Sequence, residues 1–273
     1  MRLSEGLQPG GRLKTEAVAR ALDALERLHA EFCMDEVPVR AAATAVLRMT
    51  AAPRDFLDPA ERILGGAVDV ISGEEEARLT CRGAVLDLPP DPAQRILDIG
   101  GQSTELSSRT GDNGCFDAVS MPLGVVALTE RFFTDLIISD GQRNDAASAV
   151  RDILKAHVPD GGRGALVCVG GTPTTLCVLN RGLRTWQRES VHGAVISREA
   201  AEEWLRILSA VPPEERVSRF GMRPLRADVF PAGLLILIEV MRHTGVSSFM
   251  VSANGLRVGL ALSVIEGEDR AIP

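Results

Sequence analysis

Three consecutive strand-like stretches, separated by glycine-rich corners, constrain the fold of this chain more than any other feature. Within Arg95–Met121 the sequence reads RILDI, a GGQST corner, TELSS, a GDNG turn and CFDAVSM. Short runs of this kind between tight turns are typical of antiparallel strands. Helical patterns then alternate with an apolar strand at Ala165–Val169 and a last strand at Ser248–Ser252. This alternation predicts an α/β fold.

The first third of the chain carries helix and strand signals of its own. Thr15–Phe32 has apolar residues at helical spacing with Glu and Arg on the other face, which predicts an amphipathic helix. Val37–Ala45 favours a buried strand, although its alanines also fit the start of a helix. Asp58 as N-cap and Pro59 at the first helical position predict a short helix, followed by a strand at Ala67–Ile71.

The segment Pro89–Pro92 is the predicted boundary between two domains. Three prolines in four residues cannot continue a helix or a strand. We therefore expect a first domain at 1–92 and a second at 93–273, with the last helix, about 253–266, packing back on the first domain.

Composition and charge exclude several classes of partner. The chain has 30 Lys and Arg against 37 Asp and Glu, which gives a net charge of −7, and the cations are scattered among the acids. A DNA-binding surface needs clustered cations, so we expect no DNA partner. The first residues lack an apolar signal core and no apolar run approaches roughly 18 residues, so we expect a cytoplasmic protein without a membrane span. The five cysteines form no C-x-x-C pair, which favours reduced and mostly buried thiols.

The segment Asp98–Glu105, with the sequence DIGGQSTE, is the strongest candidate site. A carboxylate at a strand end, two glycines and two hydroxyl side chains suit a phosphate-binding turn beside Mg²⁺, because glycine lets backbone amides approach an anion. A hairpin with a polar tip explains the same residues structurally. The segment is neither a Walker A loop nor a G-x-G-x-x-G dinucleotide motif.

A run of three glutamates, Glu74–Glu76, is the second candidate. Ser72 and Glu75 have the spacing of a capping box, so Glu75 has a complete structural explanation. Glu76 is not needed for the cap, and a glutamate at a helix start that faces a phosphate turn can act as a general base toward water. The alternative is that all three acids only stabilise the start of the helix.

Two further features suit phosphate without requiring it. A predicted strand leads into Gly170, Gly171 and Thr172 at a helix start, where free amides can hold an anion. Thr172 as N-cap with Pro173 at the first helical position explains this turn equally well. Arg48 can bind a phosphate with two hydrogen bonds, although a lone surface arginine is usually only solvated.

Taken in order, these segments resemble the exopolyphosphatase and guanosine pentaphosphate phosphohydrolase family over nearly the whole chain. The two sharpest matches are Val70–Leu79, similar to I-S-G-x-E-E-A-R-L, and Asp98–Glu105, similar to D-I-G-G-G-S-T-E. Weaker matches follow the family's order at Arg2–Leu7, Gly11–Leu13, Ala43–Arg48, Gly170–Thr175, Arg226–Asp228 and Val251–Arg257. The resemblance implies an actin-like ATPase fold, related to ribonuclease H, with two domains and a cleft between them.

The resemblance also implies an activity and a set of roles. Members of the family release the terminal phosphate of inorganic polyphosphate or of guanosine pentaphosphate (pppGpp), with Mg²⁺ and an attacking water. By resemblance Asp98 helps to position Mg²⁺ and Glu76 is the general base, with Glu75 as the reserve choice. The expected phosphate-binding residues are Arg48, Gly100, Gly101, Ser103, Thr104, Glu105, Gly170, Gly171 and Thr172.

Two departures from the family pattern bear on activity. The family begins with a strand and a D-x-G-S-N-S type loop ahead of the segment where this sequence starts, so we expect a first domain truncated at its N terminus. Gln102 stands where the family has glycine, and its side chain either narrows the phosphate loop or points outward. A phosphoanhydride hydrolase is the leading hypothesis, and a weakly active or inactive relative that senses nucleotide or polyphosphate is the alternative. The sequence leaves open the preferred substrate and whether the protein is a homodimer.

Overall fold

A computed structural model of the chain describes residues 3–8, 10–34, 37, 39–89, 93–110, 115–159 and 164–267. The predicted linker residues Pro90–Pro92 and the predicted GDNG turn at 111–114 lie outside these ranges. The chain divides into two compact units, Met1–Glu76 with Leu260–Pro273 and Ala77–Gly259. The sequence-based boundary lies at Pro92, so the two divisions differ over residues 77–92, which fall in unit 2, and over residues 260–273, which fall in unit 1.

Unit 1 contains a small parallel sheet and the helices that pack with it. Its elements are α1 (Thr15–Glu31), β1 (Ala41–Ala43), α2 (Ala45–Met49), α3 (Arg54–Leu64), β2 (Val68–Val70), the first turn of α4 (Gly73–Ala84) and the later part of α13 (Leu256–Ile265). β1 and β2 pair in parallel, and they are the strands of unit 1 within the described residues. Its core includes Ala21, Leu47, Phe56 and Leu57, from α1, α2 and α3.

The predicted helix at Thr15–Phe32 is confirmed as α1, whereas the predicted start of α3 is wrong. α3 begins at Arg54, and Pro59 lies inside the helix rather than at its first position. The extra turn brings Phe56 and Leu57 into the core of unit 1. Burial of these two side chains outweighs the single backbone hydrogen bond that a proline removes.

Unit 2 contains a six-stranded mixed sheet and the helices that cover it. After α4, its elements are β3 (Ala93–Ile99), β4 (Thr104–Thr110), β5 (Cys115–Met121), α5 (Val125–Phe132), α6 (Asp140–His157), β6 (Ala165–Val169), α7 (Gly171–Asn180), α8 (Arg188–Val191), β7 (Val195–Ser197), α9 (Arg198–Ser209), α10 (Pro213–Phe220), α11 (Pro224–Ala227), α12 (Phe230–Thr244), β8 (Ser248–Val251) and the start of α13. The strand order is β5-β4-β3-β6-β8-β7. β3, β4 and β5 are antiparallel, as predicted, while β3, β6 and β8 run parallel and β7 is antiparallel to β8.

The core of unit 2 lies on both faces of this sheet. Leu97 belongs to a large cluster with side chains of α5, α6, α7, α9 and α12, whereas its neighbour Ile96 packs with Cys81 and Ala84 of α4. Successive side chains of a strand point to opposite faces, so β3 is covered on both sides. This is the α/β arrangement that the alternating elements predict. Among the described residues, no helix combines the length and the apolar composition needed to cross a bilayer.

One cysteine departs from the sequence-based expectation. Cys81 is disulfide-bonded, so the prediction of five reduced thiols is wrong for this residue. Cys33, Cys168 and Cys177 are free. A C-x-x-C motif identifies only pairs of cysteines that are close in the sequence. A disulfide can also join cysteines far apart in the sequence when the fold brings them within a few ångströms of each other.

Candidate active site

The carboxyl ends of three parallel strands meet at one edge of the unit 2 sheet. β6 pairs with β3 on one side and with β8 on the other, and both pairings extend to the ends of the strands. The segments that follow these strands are 100–103, 170–172 and 252–255. In open α/β sheets, ligands bind outside the carboxyl ends of the strands. The fold therefore brings the two predicted glycine segments of unit 2 to the same edge.

The hairpin loop between β3 and β4 is held by the N terminus of α5. The Gly100 amide donates to the Ser103 carbonyl at 2.8 Å, and the amides of Val125 and Val126 donate to the carbonyls of Gly100 and Gly101 at 3.0 and 2.9 Å. Within the described part of the chain, the amides of Gly101 and Ser103 have no hydrogen-bond partner. The loop can therefore present two backbone donors to an anion.

Asp98 and Glu105 are paired directly across β3 and β4, so their side chains lie on the same face of the sheet. Glu105 is 3% exposed and accepts a hydrogen bond from the Ser120 hydroxyl at 2.7 Å. Burial, and then the charge of Glu105, raise the pKa of Asp98 to about 7. Two neighbouring buried carboxyl groups repel each other when both are ionised. A bound cation would relieve this repulsion, so the pair suits a cation site.

The start of α7 differs from the sequence-based prediction. Gly170 is the N-cap residue and the helix begins at Gly171, so the prediction of Thr172 as N-cap is wrong. Gly170 has a φ of +85°, and a Cβ at this position would lie 2.9 Å from Asp98 Oδ1. Only glycine suits this backbone conformation and this approach to the carboxylate. The first amides of α7 have no helical acceptor and are suited to an anion.

Two of the predicted phosphate-binding hydroxyls are turned into the interior of unit 2. Thr104 is 0% exposed, and its hydroxyl donates to the Leu123 carbonyl. Thr172 is 1% exposed, and a Cβ on Gly233 of α12 would lie 2.5 Å from its Oγ1. Their side chains therefore act in packing rather than at the sheet edge. Gln102 is 7% exposed, so its side chain does not extend outward into solvent.

Arg226 of α11 is a site residue to which sequence reasoning gave no role. A Cβ at Gly171 would lie 2.0 Å from Arg226 Nη2, so the guanidinium packs directly against the first residue of α7. A cation beside free helix amides strengthens a site for an anion. The R-A-D match at 226–228 is the sequence signal for this residue, but it does not indicate the contact with Gly171.

In unit 1 the glutamate run lies at the start of α4, as predicted. The Glu75 amide donates to the Ser72 hydroxyl oxygen at 3.1 Å. This bond confirms the half of the capping box in which the N-cap side chain accepts from the backbone. Glu76 is 8% exposed, and Arg48 Nη1 and Nη2 each lie 3.3 Å from its Oε2. Arg48 is therefore in an ion pair and is not a lone surface arginine. The other predicted site residues belong to unit 2.

Comparison with known proteins supports one family over nearly the whole chain. The sequence model of the Ppx/GppA phosphatase family matches residues 1–268. The crystal structure of an exopolyphosphatase-like protein is similar with a TM-score of 0.89 at 28% identity, covering 98% of this chain and 90% of that protein. A Ppx/GppA family member from Aquifex aeolicus is similar with a TM-score of 0.82 at 27% identity, over 98% of this chain and 88% of that one. An exopolyphosphatase from Cytophaga hutchinsonii has a TM-score of 0.82 at 25% identity, over 96% and 87%. This chain belongs to the Ppx/GppA phosphatase family and has its actin-like ATPase fold.

Proposed function

We propose that this protein hydrolyses phosphoanhydride bonds, releasing the terminal phosphate of inorganic polyphosphate or of pppGpp. Membership of a phosphatase family supports the reaction class. The observation that carries the proposal is the Asp98–Glu105 pair beside a loop with free amides. Phosphoryl transfer depends mainly on positioning the phosphate and on neutralising negative charge, and this edge of the sheet supplies groups for both.

The residues at the sheet edge fit Mg²⁺. The described residues contain no group of three or more His, Cys, Asp or Glu side chains placed to hold a metal. Mg²⁺ does not require such a group, because it is commonly bound by one or two carboxylates together with phosphate oxygens and water. Asp98 and Glu105 supply two carboxylates. The raised pKa of Asp98 supports this fit, because the pair is short of positive charge. When bound, Mg²⁺ would neutralise charge on the substrate phosphate.

Groups of the chain itself would perform the remaining steps. The amides of Gly101 and Ser103 and the start of α7 would hold the terminal phosphate. Glu76 would accept a proton from a water molecule, whose oxygen attacks the terminal phosphorus. A new P–O bond forms and the bridging P–O bond breaks, and the shortened chain or nucleotide leaves with the bonding electron pair.

An anionic substrate of this protein would have to be held by local groups, because the chain has no excess of positive charge. The net charge of the chain is −7. Near the sheet edge, positive charge comes from Arg226 at the start of α7. A terminal phosphoanhydride is common to polyphosphate and pppGpp, so the proposal includes both.

Phosphate release from both substrates tests the proposal. The purified protein is assayed with polyphosphate of defined length and with pppGpp, in excess Mg²⁺ and in excess chelator. We expect release only with Mg²⁺, and a loss of roughly 10²-fold or more in Asp98→Ala. Asp152→Ala, on the exposed side of α6, is the control for the loss of one carboxylate. Tight binding of either ligand with no phosphate released would overturn the proposal in favour of a sensing role.

A further inference from the structure

The guanidinium of Arg48 is committed to two protein groups in unit 1. Arg48 lies on α2, and its Nη1 donates to the Ile71 carbonyl at 2.6 Å. Nη1 and Nη2 each lie 3.3 Å from Glu76 Oε2. The same Ile71 is fixed through its amide, which donates to the Ala43 carbonyl at 3.0 Å. Arg48 therefore links the segment that precedes α4 to a carboxylate in its first turn.

The surroundings of the pair favour a fixed geometry. The side chain of Glu76 is 10% exposed and that of Arg48 is 27% exposed. Breaking a mostly buried ion pair by removing one of its members weakens the hold on the other, so loss of the guanidinium removes one of the groups that hold the Glu76 carboxylate. Hydrogen bonds to ionised groups are also stronger than neutral ones and more restrictive in direction. Arg48 therefore contributes to the orientation of the Glu76 carboxylate through two contacts to Oε2.

We propose that Arg48 is a positioning residue that acts through Glu76, rather than a ligand of the substrate phosphate. The inference rests on the proposed function, in which Glu76 accepts the proton of the attacking water. A general base is effective only when its oxygen is held within hydrogen-bond reach of that water. A guanidinium suits the task because its planar fork reaches the Ile71 carbonyl and the Glu76 carboxylate together, whereas a lysine ammonium is a single point charge.

Steady-state kinetics of single and double variants test this role. The set is Arg48→Ala, Arg48→Lys, Glu76→Gln and the double variant Arg48→Ala/Glu76→Gln, on the substrate that the wild type hydrolyses. Misplacing a catalytic group can cost about 10²-fold in rate, so we expect kcat of Arg48→Ala to fall roughly 10- to 100-fold with KM changed less than about 3-fold. Arg48→Lys should restore part of kcat. In the Glu76→Gln background, Arg48→Ala should change kcat by less than about 2-fold, because effects transmitted through one group do not multiply.

Arg54→Ala is the matched control. Arg54 is an exposed arginine of unit 1 whose ion pairs are with Asp58 and Glu61, so its loss should leave kcat and KM unchanged. Thermal melting identifies any variant that fails to fold. If Arg48→Ala is such a variant, Arg48→Lys is combined with Glu76→Gln instead.

Two results would overturn the inference. A KM raised 10-fold or more with kcat preserved would assign Arg48 to the substrate, and so would losses that multiply in the double variant. Absence of hydrolysis by the wild type is a different failure, because it removes the proposed function and the positioning role together. An active wild type with multiplying losses removes the positioning role alone.

Discussion

Asp98 and Glu105 occupy directly paired positions on β3 and β4, next to the loop Gly100–Ser103. Like charges at such positions destabilise a sheet. Glu105 is held by the Ser120 hydroxyl, and the conflict appears at Asp98, whose pKa rises to about 7 through burial first and Glu105 second. Groups with strongly perturbed pKa values concentrate at functional sites. The pair is therefore a candidate functional site that lowers the stability of this sheet.

Asp98→Asn should stabilise the protein in the absence of metal, and more at high pH than at low pH. A carboxyl group whose pKa is raised by folding lowers stability as pH rises from its ordinary value of 3.8 towards 7, and the full cost is present above pH 7. Asparagine carries no charge at either pH. We expect the Tm gain to be roughly 2 to 6 °C at pH 8 in chelator and smaller at pH 5.

Thermal melts of Asp98→Asn and wild type at the two pH values provide the measurement. Asp152→Asn, on the exposed side of α6, controls for the loss of one negative charge. An equal Tm change at pH 5 and pH 8 would contradict the assignment of the raised pKa to Asp98.

Glu76→Gln should lower turnover, whereas Glu75→Gln should be mild. Glutamine keeps an oxygen for Arg48 but cannot accept a proton from water, so we expect a fall of roughly 10²- to 10⁴-fold in kcat. Glu75 contributes its backbone amide to the Ser72 cap, and this contact survives the substitution. Ser72→Ala should instead cost about 0.5 to 2 kcal/mol of stability with kcat retained. Assays and melts on the three variants separate these roles, and loss of turnover in Glu75→Gln with an active Glu76→Gln would reverse the assignment.

Gly124→Ala should distort the loop between β3 and β4. A Cβ at Gly124 would lie 2.2 Å from the Gly101 carbonyl oxygen, so either the loop or the start of α5 must move. Overpacking of this kind costs about 1 to 3 kcal/mol. We expect a lower Tm together with weaker substrate binding, measured as KM. Gly141→Ala in α6 is the control, because the new Cβ would meet only Ser139 Oγ at 3.8 Å and its Tm should be unchanged or higher.

Gly170→Ala should impair both folding and the carboxylate site. The φ of +85° strains any other residue by about 1 to 3 kcal/mol, and the new Cβ would press on Asp98 Oδ1 at 2.9 Å. Gly221→Ala has a similar positive φ of +66° with nothing within 4 Å, so it reports backbone strain alone. We expect both variants to lose stability but only Gly170→Ala to alter the Mg²⁺ dependence of phosphate release. Equal Mg²⁺ dependence in the two variants would show that Gly170 has no role at the carboxylate pair.

Features that depend on neighbours along the chain can be predicted from the amino-acid sequence. The β3–β4–β5 meander follows from short apolar runs between glycine corners, and the Ser72–Glu75 cap joins residues within one turn of a helix. The family resemblance rests on the order of such segments, and the match of the family model to residues 1–268 confirms it. These features are determined locally, because a turn or a cap involves only a few consecutive residues.

Packing between distant elements selects which of the candidate groups are available for chemistry. Thr104 and Thr172 have the composition of a phosphate turn, but packing against Leu123 and Gly233 places them in the interior. The Arg48–Glu76 ion pair and the contact of Arg226 with Gly171 join residues far apart in the sequence. No periodicity or spacing encodes such contacts, because they depend on how separate elements pack. Local sequence therefore specifies the fold class and the candidate residues, and long-range packing assigns the role of each.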